Sequence, residues 1–241
     1  MNFTEGEVLY FNKPLKWTSF NVVEKAKYDI TKKLRVKLKS LKVGHAGTLD
    51  PLATGVIILC TGKATKRIEE FQNHTKEYVA TLMLGATTAS YDMEHEIDAT
   101  FPTEHITREL IEEALTKFVG TIEQIPPAFS ACKIKGKRAY LMARNGEEVK
   151  LEPKVLTIDE IELLECNLPE IKIRVVCSRG TYIRALARDI GEALHSGAYL
   201  TGLIRTRVGE VTLEKCQDIN DFPKWLDEQD IDDLKIENKG G

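Results

Sequence analysis

Gly44-His45-Ala46-Gly47-Thr48-Leu49-Asp50-Pro51-Leu52-Ala53-Thr54-Gly55, running directly into Val56-Ile57-Ile58-Leu59-Cys60, is the stretch on which the reading of this chain turns. Three glycines and a proline mark its first part as a long structured loop. The five apolar residues that follow read as a strand buried on both faces. Pro51 has no amide hydrogen and restricts Asp50 to extended conformations. The loop therefore presents a single carboxylate on a rigid support. Loop chemistry alone leaves two roles open for it: a turn cap, common for Asp before Pro, or a reactive group that must not move. A nucleotide phosphate loop is excluded. The distance from Gly55 to Gly62-Lys63 is too long, and Ala64 stands where a hydroxyl would be needed.

Working outward, Val8 to Phe11 reads as a short strand, and Thr18 or Ser19 caps a helix running towards Ile30. Tyr78 to Leu84 is a strand with Tyr78, Ala80, Leu82 and Leu84 on one face. Thr107 caps a helix striped by Leu110, Ile111, Ala114, Leu115 and Phe118 and closed by Gly120. Ile171, Ile173, Val175 and Cys177 alternate with Lys172, Arg174 and Val176, a strand with a mostly wet second face. Ile183, Leu186, Ala187, Ile190 and Leu194 recur at helical spacing up to His195. Strands and helices mix without strict alternation, which predicts an α+β fold with a mixed, mostly antiparallel sheet flanked by helices and loops. Residues after about Leu213 are polar and read as a loosely attached end.

The 241 residues, 42% apolar and 29% charged, exclude fibrous and disordered classes. The longest apolar run, Val56 to Cys60, is far short of a membrane span. Met1 to Glu7 has neither a basic start nor an apolar run, so no signal peptide is expected and the location is cytoplasmic. Five scattered cysteines without a CxxC pair, and five histidines without a paired motif, favour neither a disulfide framework nor a metal centre. Net charge is −3, but it is polarised: ten Lys and Arg against two acids between Asn12 and Val43, and nine acids against four lysines from Glu214 onward. A basic segment of this kind either attracts phosphates or is a solvated face.

The Gly44–Gly55 loop closely resembles the catalytic motif of the TruB family of tRNA pseudouridine synthases, and the likeness runs through most of the chain. Asn12-Lys13-Pro14 with Thr18-Ser19 resembles the family's opening motif, and Lys76-Glu77-Tyr78 its tyrosine strand. Gly85, Thr88, Ser90 and Asp92 match the next block. Pro126-Pro127 with Ser130-Ala131-Cys132-Lys133 and Gly136-Lys137-Arg138-Ala139-Tyr140 resemble an RNA-contacting insertion. Gly180-Thr181-Tyr182-Ile183-Arg184 and Leu203-Ile204-Arg205-Thr206 match the last two motifs. The resemblance implies the pseudouridine synthase fold and the isomerisation of uridine 55 in the TΨC loop of tRNA. That reaction breaks N1–C1′, turns the uracil and joins C5 to C1′. It exchanges no electrons with solvent, so neither a cofactor nor a metal is expected.

By the same resemblance Asp50, Tyr78 and Arg184 are catalytic. Asp50 acts on the nucleotide, Arg184 holds it ionised, and Tyr78 holds the turning base. Leu203 excludes water, His45 fills the space vacated by the flipped base, and Tyr182 lines the pocket. Lys13 and Lys133, with the basic runs around them, contact RNA phosphates. Without the motif these residues read more plainly, as a solvated helix arginine, a strand tyrosine, a core leucine and a loop histidine. Tyr182 and Arg184, two apart, would face one site only if the helix starts near Ile183 or later. Residues 1–213 are expected to be the catalytic domain, with the insertion at about 126–150, and 214–241 a short acidic segment without the PUA domain found in most bacterial relatives. The expected substrate is the tRNA T-arm, acted on by a monomer without an obligate protein partner or membrane. The alternative is a non-catalytic tRNA-binding or folding protein.

Overall fold

The computed structural model describes residues 1–130, 132–134, 137–145, 149 and 151–232. In chain order its first half contains β1 (Val8–Lys13), α1 (Ser19–Leu34), β2 (Val43–His45), β3 (Ala53–Thr61), α2 (Ile68–Asn73), β4 (Lys76–Leu84), β5 (Ala86–Thr88), β6 (Ile97–Thr100), α3 (Arg108–Thr116) and β7 (Gly120–Gln124). There follow β8 (Lys133–Ile134), β9 (Lys137–Arg138), α4 (Ala139–Arg144), β10 (Lys154–Asn167), β11 (Glu170–Cys177), α5 (Ile183–Ala193), β12 (Ala198–Val208), β13 (Val211–Thr212), β14 (Gln217–Asp218) and α6 (Phe222–Asp227). The chain divides into two compact units, Met1–Lys76 with the chain from Ile204 onward, and Glu77–Leu203.

In the first unit β3 is antiparallel to β1, with Phe11 opposite Ile57, and to β2, with Gly44 opposite Cys60. Successive side chains of a strand point to opposite faces, and β3 buries both. Ile57 and Leu59 join Phe11, Val22, Ala26 and Ile30 in one core, while Val56, Ile58 and Cys60 join Phe71 and Val208 in another. This is why the run is apolar throughout rather than alternating. Helix α1 begins at a reciprocal cap: Asn21 N donates to Thr18 Oγ1 at 3.0 Å, and Thr18 N donates to Asn21 Oδ1 at 2.8 Å.

The polar segment is not loosely attached over its described residues, 214–232. β14 pairs in parallel with β1, and Ile219, Phe222 and Leu226 are buried in the core of α1 and β1. The Phe222 ring meets Phe11 edge-on at 5.0 Å, and Asp232 N donates to Met1 O at 2.8 Å. The apolar residues of this segment recur every three or four positions among acids, enough to bury one helical face.

In the second unit the strand order is β12 (its first half), β4, β11, β10, β7, with β10 antiparallel to β11 and to β7. β4 alternates buried and half-buried residues along its whole length, with Tyr78, Ala80, Leu82 and Leu84 inside. Arg174, on the wetter face of β11, pairs with Glu77, Glu160 and Glu162. Helix α3, capped by Thr107, stops at Thr116, so Phe118 lies beyond it. Gly120 opens β7 instead of closing the helix, with φ +100°. Together these elements make an α+β fold with a mixed, mostly antiparallel sheet.

Candidate active site

The Asp50 loop of the first unit is tied to its surroundings at almost every turn. Gly55 N donates to Asn12 Oδ1 at 3.1 Å, Lys16 N to Pro51 O at 2.8 Å, and Ala53 N to Asp50 O at 3.0 Å. Ser19, at the start of α1, clasps Leu49 from both sides: its Oγ donates to Leu49 O at 3.1 Å and accepts from Leu49 N at 2.8 Å. Gly55 has φ +109°, and a Cβ there would lie 2.2 Å from the Arg205 carbonyl oxygen, so only glycine lets the two backbones meet.

Two buried cations bracket the loop. Lys13 is 0% exposed, and its Nζ donates to the carbonyls of Pro14 (2.9 Å), Trp17 (2.5 Å) and Pro51 (3.4 Å). Burial lowers the Lys13 ammonium to about 8; the negative charge of Asp50 opposes this and the positive charge of Arg205 adds to it. Lys13 is thus not one of the cations facing RNA phosphate, as the basic run around it suggested. Its donors are spent on main-chain carbonyls, and one of them is the carbonyl next to Asp50. Arg205, 1% exposed, donates from Nε to Val56 O at 2.8 Å and from Nη2 to Gly47 O at 3.1 Å. His45, half-buried on β2, is held below the usual histidine range by burial and then by the charge of Arg205, partly offset by the Gly47 backbone. A histidine lowered in this way is uncharged at neutral pH.

The second unit holds the other residues, with Tyr182 and Arg184 at the start of α5. The helix begins at Ile183 with Tyr182 as its cap, the late start that the spacing of Tyr182 and Arg184 required. Gln124, 1% exposed at the end of β7, grips the cap through both of its amide atoms: Oε1 accepts from Tyr182 N at 2.9 Å and Nε2 donates to Tyr182 O at 3.2 Å. The Tyr182 hydroxyl lies 3.2 Å from Cys132 Sγ, to which Lys154 Nζ donates at 3.3 Å. Burial pushes that thiol up, but the hydrogen bonds from Tyr182, Ser130 and Lys154 outweigh it and leave it below the ordinary cysteine range.

Arg184 is 5% exposed and is no solvated helix arginine. It donates to Ser90 O at 3.1 Å and Phe129 O at 2.9 Å, and its Nε lies 3.8 Å from Asp92 Oδ2. Asp92 in turn accepts from Ser90 Oγ at 2.6 Å and Glu94 N at 2.9 Å, so the Thr88–Asp92 block serves as the arginine's socket. Tyr78 is 8% exposed on the buried face of β4, and Leu203 is half-buried on β12. The Lys133 side chain, and with it much of the basic stretch to Arg138, lies outside the described residues.

A profile of the TruB family pseudouridylate synthase N-terminal domain matches residues 32–183, more than half of the chain. The chain belongs to the TruB family. The tRNA pseudouridine synthase B of Phocaeicola vulgatus is 75% identical over 97% of this chain and 99% of its own length. That of Bacteroides fragilis is 75% identical over 96% of this chain and 99% of its own. Among solved structures, a chain of a Cbf5-Nop10-Gar1 complex superimposes with a TM-score of 0.67 at 27% identity, covering 97% of this chain and 59% of that one.

Within this TruB-family chain the structure brings together Asp50, Lys13 and His45 in one unit and Tyr182 and Arg184 in the other. Two residues of these surroundings had no assigned role in the sequence: Arg205, although it stood inside a matched motif, and Gln124. The only local hint of Gln124 was its place just before Ile125-Pro126-Pro127, where the chain must leave β7.

Proposed function

We propose that the protein isomerises uridine 55 in the TΨC loop of tRNA to pseudouridine, in the cytoplasm and without a protein partner. The observation that carries this reading is the immobilised Asp50 loop, a carboxylate between buried cations whose hydrogen bonds end on neighbouring carbonyls. The names of the relatives support tRNA as substrate.

The target nucleotide is extracted from the loop stack, which costs a few kcal/mol, and neutral His45 fills the space it leaves. Asp50 then acts on the nucleotide. Attack on the base, attack on C1′ and removal of a sugar proton all begin from the ionised carboxylate. The N1–C1′ bond breaks, the uracil turns against Tyr78, and C5 joins C1′. The C5 proton leaves and N1 takes one up, with Tyr78 assisting directly or through water. Arg184 balances the charge of Asp50, Leu203 keeps water from the separated sugar and base, and Tyr182 lines the pocket. Atoms and electrons balance within the substrate, so the reaction itself needs no redox partner. Lys133 and the basic residues around it position the stem through its phosphates.

The test is to incubate the protein with unmodified T-arm RNA and map pseudouridine by carbodiimide-stop sequencing. One product, at the loop uridine corresponding to position 55, is expected. Product at another uridine would reassign the specificity, and no product would overturn the reading.

A further inference from the structure

We propose that Arg205 is the positioning residue of the Asp50 loop, its guanidinium tying together the two ends of the segment that carries the carboxylate. The proposal rests on the reading of Asp50 given above. Gly47 and Val56 stand on either side of Asp50, and their carbonyls receive Nη2 at 3.1 Å and Nε at 2.8 Å from one planar group. A guanidinium has donors in a fixed fork, so bonds to two carbonyls also set the separation of those carbonyls. The Arg205 backbone reinforces the tie, because it occupies the space beside Gly55 that any larger residue would need. Three contacts from one residue thus fall on Gly47, Gly55 and Val56.

Burial makes the choice of arginine informative. At 1% exposure a cation is expensive to keep, and an apolar side chain of similar length would fill the volume more cheaply. The charge is felt by the residues that share the site, lowering the pKa of both His45 and Lys13. The arrangement differs from that of Arg184, which has the Asp92 carboxylate within 3.8 Å. Arg205 is bonded to peptide carbonyls at the shoulders of a loop, where it sets geometry.

The test compares wild type, Arg205→Met and Arg205→Lys by steady-state kinetics on T-arm RNA and by amide hydrogen exchange across the loop. For the methionine variant kcat should fall about a hundredfold with KM changed less than about threefold, the signature of a displaced reacting group rather than lost binding. Lysine keeps the charge but not the fork, and should recover about a tenth of the wild-type rate. Exchange should accelerate in residues 47–56 while α1 keeps its protection. A kcat within about threefold of wild type, a loss carried by KM, or exchange rising evenly through the first unit would overturn the proposal. Should the methionine variant fail to fold, the lysine variant decides by the same criteria. If wild type forms no pseudouridine in this RNA, the functional reading fails, while the exchange measurement still decides whether Arg205 tethers the loop.

Discussion

In the first unit the Asp50 loop is gripped by ionised side chains: Lys13 and Arg205 bond the carbonyls of Gly47, Pro51 and Val56. In the second unit the start of α5 is gripped by a neutral amide, Gln124, on both sides of the Tyr182 peptide, with a tyrosine–cysteine–lysine contact beyond it. The two grips suit different duties. A buried charge on a carbonyl makes a strong hydrogen bond and is costly to move, so it fits a group that must stay in place. A neutral amide pair orients a backbone without adding charge, which suits a binding wall. The first grip is therefore sensitive to pH, and the second to the chemistry of one thiol.

The largest effect tests whether catalytic order is local or follows from overall stability. Phe222→Ala removes a fully buried ring and should lower the unfolding free energy by about 4 kcal/mol, read by urea denaturation. At temperatures where the variant stays folded its kcat should remain within about twofold of wild type. A proportionate loss of kcat would mean that the loop has no special grip.

Lys13→Met leaves three carbonyls without their donor and should cost about a hundredfold in kcat. Its pH behaviour sharpens the point. With the ammonium at about 8 rather than the usual lysine 10.5, the folded chain releases this proton before the unfolded chain does. The contribution of Lys13 to stability therefore rises with pH between about 8 and 10.5, by about 3 kcal/mol. Over the same range the grip loses a donor, so kcat should decline above about pH 8. The methionine variant should show neither change, as stability and rate measured side by side across that range would reveal.

Gln124→Leu breaks the neutral grip and should cost about tenfold in kcat/KM, mostly through KM, because it loosens a wall rather than the reacting group. A loss mostly in kcat would erase the distinction between the two grips. The smallest effect concerns the thiol. Burial pushes Cys60 and Cys216 up to about 11, whereas Cys132 lies below the ordinary range. At pH 7.5 iodoacetamide should label Cys132 several times faster than either, measured by peptide mass spectrometry.

Much of the frame is legible in the sequence. β3 shows an unbroken apolar run and β4 an apolar face of Tyr78, Ala80, Leu82 and Leu84, and a cap at Thr18 or Ser19 signals the start of α1. What escaped depended on distant partners. The Arg205 guanidinium finds its carbonyls 149 and 158 residues away in sequence, and Gln124 finds Tyr182 at a separation of 58, so neither bond has a local signature. Lys13 was misread because a lysine in a basic run looks like surface; only the turn through Pro14 and Trp17 folds it inward. The segment 214–232 reads as loose because acids outnumber the few apolar residues that anchor it.

The Asp50 carboxylate is the chemical group on which the proposed reaction depends, and Asp50→Asn removes its charge with the least disturbance of shape. With T-arm RNA the variant should bind within about threefold of wild type and form pseudouridine at least about a thousand times more slowly. Pseudouridine appearing at a rate near that of wild type would contradict the account and leave the loop a structural turn in a protein that acts by other means.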